Sequence, residues 1–194
     1  MSSIAVLDIV RDTTVDGPGF RTAIYAAGCP HRCPGCHNPQ SWDIRNGTPC
    51  SIDALLAQVK EQELANVTFT GGDPMAQAEA FTELARRIRS ETRKSVWCYT
   101  GYRYEQVLKH PRMAQLLPYV DVLVDGAYSE ALRDETLLFA GSRNQRLVNV
   151  PESRKAGCAV LWTSLVDLRF QIADFRRTAI LTSSATLGAS SARA

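Results

Sequence analysis

The sequence predicts an α/β fold of parallel strands joined by right-handed crossovers, and three observations predict it. Apolar or β-branched runs alternate with helical patterns from about residue 20 to about residue 150, the connections are short, and the polar motifs fall where the runs end. Four or five strand-helix units are visible, too few to close an eight-stranded barrel.

The elements follow in order. Residues 20–28 (FRTAIYAAG) read as the first strand. Residues 51–64 (SIDALLAQVKEQEL) open on Ser51 as a cap and set Ile52, Leu55, Leu56 and Val59 on one helix face. NVTFTGG at 66–72 is a β-branched strand ending in glycines, and a helix is predicted over about 76–90. Next come a strand in KSVWCYTG (94–101), a short helix near 104–110, a strand in YVDVLVDG (119–126) and a late strand in QRLVNVP (145–151). Residues 164–177 suit one more amphipathic helix or strand, and 178–194, rich in Ser, Ala and Thr, read as a flexible tail, which leaves one domain over 1–177.

Composition narrows the function classes. With 194 residues and 45% hydrophobic residues the chain suits a single core. Its 22 Lys and Arg against 20 Asp and Glu leave a formal charge of +2, without the basic excess that tracks nucleic acid or an anionic membrane. MSSIAVLDIVRDTTVDG is read as a short apolar run broken by Asp8, with no signal-peptide pattern, and no apolar stretch approaches the roughly 20 residues needed to span a bilayer. A soluble cytoplasmic protein is expected. Six cysteines in a chain of this length suit reduced thiols rather than a disulfide scaffold. Cys98 and Cys158 are expected as small buried hydrophobes, and so is Cys50, which follows Pro49 just before a helix.

The chemistry concentrates in GCPHRCPGCHNPQSWD, where Cys29, Cys33 and Cys36 stand in Cys-x3-Cys-x2-Cys spacing with no fourth cysteine in register. Three soft thiolates hold three irons of a four-iron cluster and leave the fourth open to an exchangeable ligand. Gly28 and Gly35 let the backbone wrap a bulky core, and Pro30 and Pro34 stiffen it. A competing reading is a zinc site on Cys29, Cys33, Cys36 and His37, although adjacent Cys36 and His37 chelate one tetrahedral ion awkwardly. Thr70-Gly71-Gly72-Asp73-Pro74 follows a strand, where glycines admit a ligand to the backbone and an Asp binds a cationic amine; a plain turn is its other reading. Tyr99-Thr100-Gly101-Tyr102 and Asp125-Gly126 also lie at strand ends, with Asp125 either an acceptor for a ligand amine or ribose or a turn residue. His31, His37 and His110 share no sequence context, and His110 reads as a solvated surface residue.

The cysteine spacing followed by the TGGDP segment resembles the radical S-adenosylmethionine (SAM) superfamily, and within it the activating enzymes of glycyl-radical enzymes. DGPGFRTAIYAAGCPHRCPGCHNPQSWD, VTFTGGDP, VWCYTGY, VDVLVDG and GSRNQR carry the resemblance across much of residues 16–146. It implies a truncated, open (β/α) partial TIM-like barrel of the radical SAM type, whose incomplete wall admits a partner's glycine loop. It implies a [4Fe-4S] cluster on Cys29, Cys33 and Cys36, with SAM chelated at the open iron and split into methionine and a 5'-deoxyadenosyl radical. Gly35, Cys36 and His37 would contact SAM beside the cluster, Gly72 and Asp73 would meet its methionine amine, and Asp125 is a further carry-over. The implied protein substrate is a glycyl-radical enzyme, an anaerobic ribonucleoside-triphosphate reductase, and the implied electron donor is of flavodoxin or ferredoxin type. His37-Asn38-Pro39 instead resembles the pyruvate formate-lyase activases, and short radical SAM enzymes with small-molecule substrates, such as the carboxy-deazaguanine synthases, are a second enzymatic reading.

Overall fold

The computed structural model describes residues 2–163; the expectations for 164–177 and for a tail over 178–194 lie outside them. Seven strands form one open sheet: β1 (Ser3–Thr13), β2 (Arg21–Ala26), β3 (Thr48–Ser51), β4 (Asn66–Gly71), β5 (Val96–Thr100), β6 (Val122–Asp125) and β7 (Arg146–Asn149), in the order β3-β1-β2-β4-β5-β6-β7. Its ends do not meet, so the described residues form a mixed α/β sheet rather than a closed barrel.

The helices are α1 (Ile52–Glu61), α2 (Ala78–Glu91), α3 (Tyr104–Lys109), α4 (Pro111–Ala114) and α5 (Val150–Ala156). Ser51 caps α1 as its sequence suggests, its hydroxyl accepting from the Ala54 N–H at 3.2 Å, and Ile52, Leu55, Leu56 and Val59 are all buried. The helix expected over about 76–90 starts with a 3-10 turn, Pro74–Gln77, before α2 proper. No helix among the described residues is long and apolar enough to cross a membrane.

Expected parallel pairing holds only in the middle. β2, β4, β5 and β6 run parallel, Ile24 opposite Phe69 and Phe69 opposite Cys98, with α1, α2 and α3 among the crossovers. β7 is antiparallel to β6, Leu123 facing Val148. The chain between them, 126–145, contains only a 3-10 turn and so lacks the helical crossover that a parallel return requires. β1 and β3 extend the other side of the sheet, both pairings antiparallel. The N-terminal run is thus an eleven-residue strand, and the cysteine loop follows the second strand of the chain rather than the first.

Alternation along the strands divides the sheet into two faces. Ile24, Val67, Phe69, Val96, Cys98 and Leu123 join the helices in the main core, where Phe81, Leu84 and Ile88 of α2 are fully buried. The opposite face carries Trp97, Val122 and Val124 with Tyr99, Phe139, Leu147 and Trp162 packed around them. Because the helices cover one face, the carboxyl ends of the parallel strands stay clear, and the motifs gather there.

Candidate metal centre

β2 ends at Ala26, and Gly28, at φ +89°, turns the chain into the cysteine loop. The loop closes on itself: the Gly28 N–H donates to the Ser41 carbonyl at 2.7 Å and the Cys29 N–H to the Trp42 carbonyl at 3.1 Å, both acceptors in the 3-10 turn Pro39–Trp42. Within it the Cys36 N–H donates to the Cys33 carbonyl at 3.2 Å across Pro34 and Gly35, the latter at φ +71°. Pro then Gly between those residues is the type II turn pattern, which only a residue tolerating positive φ completes. The Asn38 N–H reaches the Cys36 sulfur at 3.4 Å. Cys29, Cys33 and Cys36 are free and half-buried, and all three line one cleft of ≈ 280 Å³.

The glycine segment forms the adjoining wall. The Gly72 N–H donates to the Ala26 carbonyl at 2.7 Å and the Asp73 N–H to the Gly28 carbonyl at 2.9 Å. A Cβ at Gly72 would stand 2.6 Å from the Gly28 oxygen, and one at Gly71 2.6 Å from the Ala26 nitrogen. These glycines therefore permit the end of β4 to lie against the root of the cysteine loop, and both line the cleft.

Gly35 sits in the turn between Cys33 and Cys36, while Cys36, His37 and Gly72 line the cleft. The His37 ring lies 5.5 Å from that of Tyr128 across it. The two aspartates do not face it. Asp73 has no exposed surface, and its carboxylate accepts from the Met75 and Gly101 N–H groups at 2.9 and 3.0 Å, from the Thr100 hydroxyl at 3.0 Å and pairs with His31 Nε2 at 2.8 Å. Asp125, equally buried, accepts from the Tyr104 N–H at 2.7 Å and is ion-paired with Arg146 and Arg103. Four donors on the first and three on the second turn these carboxylates into structural hubs, and neighbouring backbone, Gly72 and Gly126, lines the cleft in their place.

Two features escaped the sequence reading. His31 is half-buried on the cleft wall, tied to a residue 42 positions later. GSRNQR proves to be a clamp: the Gln145 amide donates to the Gly126 carbonyl at 3.0 Å while its oxygen accepts from the Gly141 N–H at 2.8 Å, shutting the 126–145 loop at its base. Only the hydrogen-bonding side chain gave a sequence signal. His110, as expected, is exposed, and it caps α4.

Burial pushes the Cys29 thiol up, opposed by the backbone N–H groups of His31 and Arg32, which favour its thiolate. Cys98 is fully buried and its thiol is pushed well up by the same cause, in keeping with a small hydrophobe. Cys50 is half-buried against the core, whereas Cys158 is exposed, contrary to expectation, because it follows the left-handed Gly157 that ends α5.

The donor set fits an iron-sulfur cluster. Three free thiols border one glycine-walled cleft, and soft thiolates grouped in this way are the ligand chemistry of an iron-sulfur cluster, one thiolate to each of three irons.

Comparison with known proteins bears on the same residues. A family model described as a 4Fe-4S single cluster domain matches residues 15–148. The anaerobic ribonucleoside-triphosphate reductase-activating protein of Enterobacteria phage T4 is 34% identical over 139 residues, 69% of this chain and 86% of its own. Proteins of the same name from Vibrio cholerae and Escherichia coli are 35% and 32% identical over 68% of this chain, covering 88% and 89% of theirs. With its cysteine loop, glycine wall and clamped 126–145 loop all inside the matched span, the chain belongs to the 4Fe-4S single cluster domain family, in the group of the anaerobic ribonucleoside-triphosphate reductase-activating proteins.

Proposed function

We propose that the protein is a radical SAM activase that generates a glycyl radical on an anaerobic ribonucleoside-triphosphate reductase, using a [4Fe-4S] cluster on Cys29, Cys33 and Cys36. The observation that carries it is that three half-buried thiols and the Gly71-Gly72 wall line one cleft. When bound there, a cluster with one open iron supplies the electron that splits the sulfonium carbon-sulfur bond of SAM into methionine and a 5'-deoxyadenosyl radical.

The chain's own residues orient and shield. Cys36 and His37 line the cleft, where with Gly35 in the turn before them they would border SAM beside the cluster, and Gly72 would offer backbone to its methionine end. Asp73 and Asp125 act from behind the wall, holding the strand ends rather than touching SAM. Tyr25 and Tyr99 complete the lining; burial, with Asp16 nearby, raises the Tyr25 phenol to about 12 and holds Tyr99 higher still, so both present uncharged rings at neutral pH. The open sheet serves as a partial barrel of the radical SAM type, through whose missing wall a glycine-bearing backbone loop enters. A flavodoxin- or ferredoxin-type donor in the cytoplasm supplies the electron.

The test is anaerobic reconstitution followed by incubation with SAM, a strong reductant and the reductase. A glycyl doublet on the reductase by electron paramagnetic resonance is expected. SAM cleavage without that doublet, accompanied by conversion of a small molecule, would overturn the activase assignment.

A further inference from the structure

The 126–145 loop leans on the turn that carries two of the three thiols. It is braced from behind: the Asn144 amide donates to the Ala127 carbonyl at 2.8 Å, and the Ser129 N–H to the hydroxyl of the fully buried Ser142 at 3.1 Å. The 3-10 turn Glu130–Leu132 follows at once, its end held where the Arg143 N–H donates to the Leu132 carbonyl at 2.9 Å. Glu130 therefore starts from a fixed backbone, and its side chain reaches the cysteine loop. A Cβ at Gly35 would stand 2.6 Å from the Glu130 carboxyl carbon and 2.7 and 3.0 Å from its two oxygens. The carboxylate thus lies against the backbone between Cys33 and Cys36, in the place a side chain at position 35 would fill.

No partner neutralises it. Arg133 pairs with Glu135 at 2.5 Å and Arg143 lies 3.9 Å from Asp134, and among the described residues no cation is paired with Glu130. Glu130 is exposed, and neither it nor Gly35 lines the cleft, so the cleft itself is left free. What the carboxylate can exert on a group held by Cys33 and Cys36 is a field. A negative charge beside an iron-sulfur cluster opposes the arrival of a further electron, and net charge is among the factors that set reduction potential. A cluster that is hard to reduce is a strong reductant once reduced, and opening a sulfonium carbon-sulfur bond demands one.

We propose that Glu130 tunes the cluster: its unpaired carboxylate, laid on the Cys33–Cys36 turn by the 126–145 loop, lowers the reduction potential. The Gln145 clamp at the base of that loop then has a role at the metal, because it keeps the charge in place. The inference rests on the cluster assignment but not on the identity of the protein substrate.

The experiment compares wild type, Glu130→Gln and Glu130→Lys after anaerobic reconstitution, with iron and sulfide counted per chain and the midpoint measured by redox titration followed by electron paramagnetic resonance. Glutamine keeps the size and removes the charge, and lysine reverses it. The expected result is a full cluster in all three, with the midpoint of Glu130→Gln raised by about 28 mV, roughly a threefold change in the reduced-to-oxidised ratio. Glu130→Lys should move it further in the same direction. Because the charge is exposed, both differences should shrink in about 1 M KCl, where the screening length falls to about 3 Å. An unmoved midpoint in both variants overturns the inference alone. Equal shifts in the two variants that ignore salt also overturn it, since they report packing rather than charge. Iron lost from Glu130→Gln overturns it as well, because the contact then serves cluster assembly. Wild type that takes up no cluster overturns the cluster assignment, and this inference falls with it.

Discussion

The helix-covered face of the sheet and the cleft at its strand ends are built by different physics. On the covered face α1 and α2 press Leu55, Val59, Phe81, Leu84 and Ile88 onto Ile24, Val67 and Phe69, and removing water from apolar surface does the work. At the cleft, polar hubs and close backbone approach replace it: Asp73, Asp125 and Gln145 each tie together segments distant in sequence, and glycines allow the ties to be short. The first region sets how stable the protein is, and the second sets what it holds. Stability and metal binding should therefore be separable by mutation.

The largest effect expected is on one side only. Cys33→Ala should take iron from about four per chain to almost none, and abolish the glycyl doublet, while the unfolding midpoint of the iron-free protein stays near wild type because the thiol is only half-buried. A large drop in that midpoint would break the comparison. The opposite case is Phe69→Ala, at a site with no exposed surface and a ring 4.8 Å from that of Phe81. Urea unfolding should show a loss of about 3–5 kcal/mol, with iron per folded molecule unchanged.

Gly72→Ala is where the regions meet. Its Cβ would collide with the Gly28 carbonyl, so a loss of about 1–3 kcal/mol should come together with reduced iron uptake. Full iron with lowered stability would show that the wall does not position the loop. Cys98→Ala should cost about 1 kcal/mol, for one lost buried atom, and leave the iron count intact; loss of the cluster would make Cys98 a fourth ligand and remove the open iron. Smallest of all, Cys158→Ser on the exposed residue after α5 should change stability by less than about 0.5 kcal/mol and iron content not at all, as read by the same two assays.

The two regions were unequally legible. Periodicity and capping exposed α1, and β-branched runs exposed β4, β5 and β6, because burial of one face leaves its mark on consecutive residues. β1 was missed since the exposed Asp8 and Arg11 interrupt its apolar run, and β3 since its four residues include a proline. The direction of β7 is a matter of connection, which its residues do not encode. In the cleft, the cysteine spacing carried the metal chemistry because ligands of one cluster lie close in sequence. The partners of the aspartates do not: Asp73 takes a histidine 42 residues earlier and Asp125 an arginine 21 later. Their acidic character next to glycine suggested a ligand, and the fold spends it on internal ties.

An open sheet has two borders, and this one treats them differently. At one border β3 is four residues long and includes Pro49, which offers no N–H to an approaching strand. At the other, β7 is overlaid by the following chain, the Asn149 N–H donating to the Val160 carbonyl at 2.9 Å and the Trp162 N–H to the Leu147 carbonyl at 2.7 Å. Both edges are thus poor templates for intermolecular pairing, so the sheet can remain open without inviting strand-by-strand aggregation while the iron-free chain waits for its cluster.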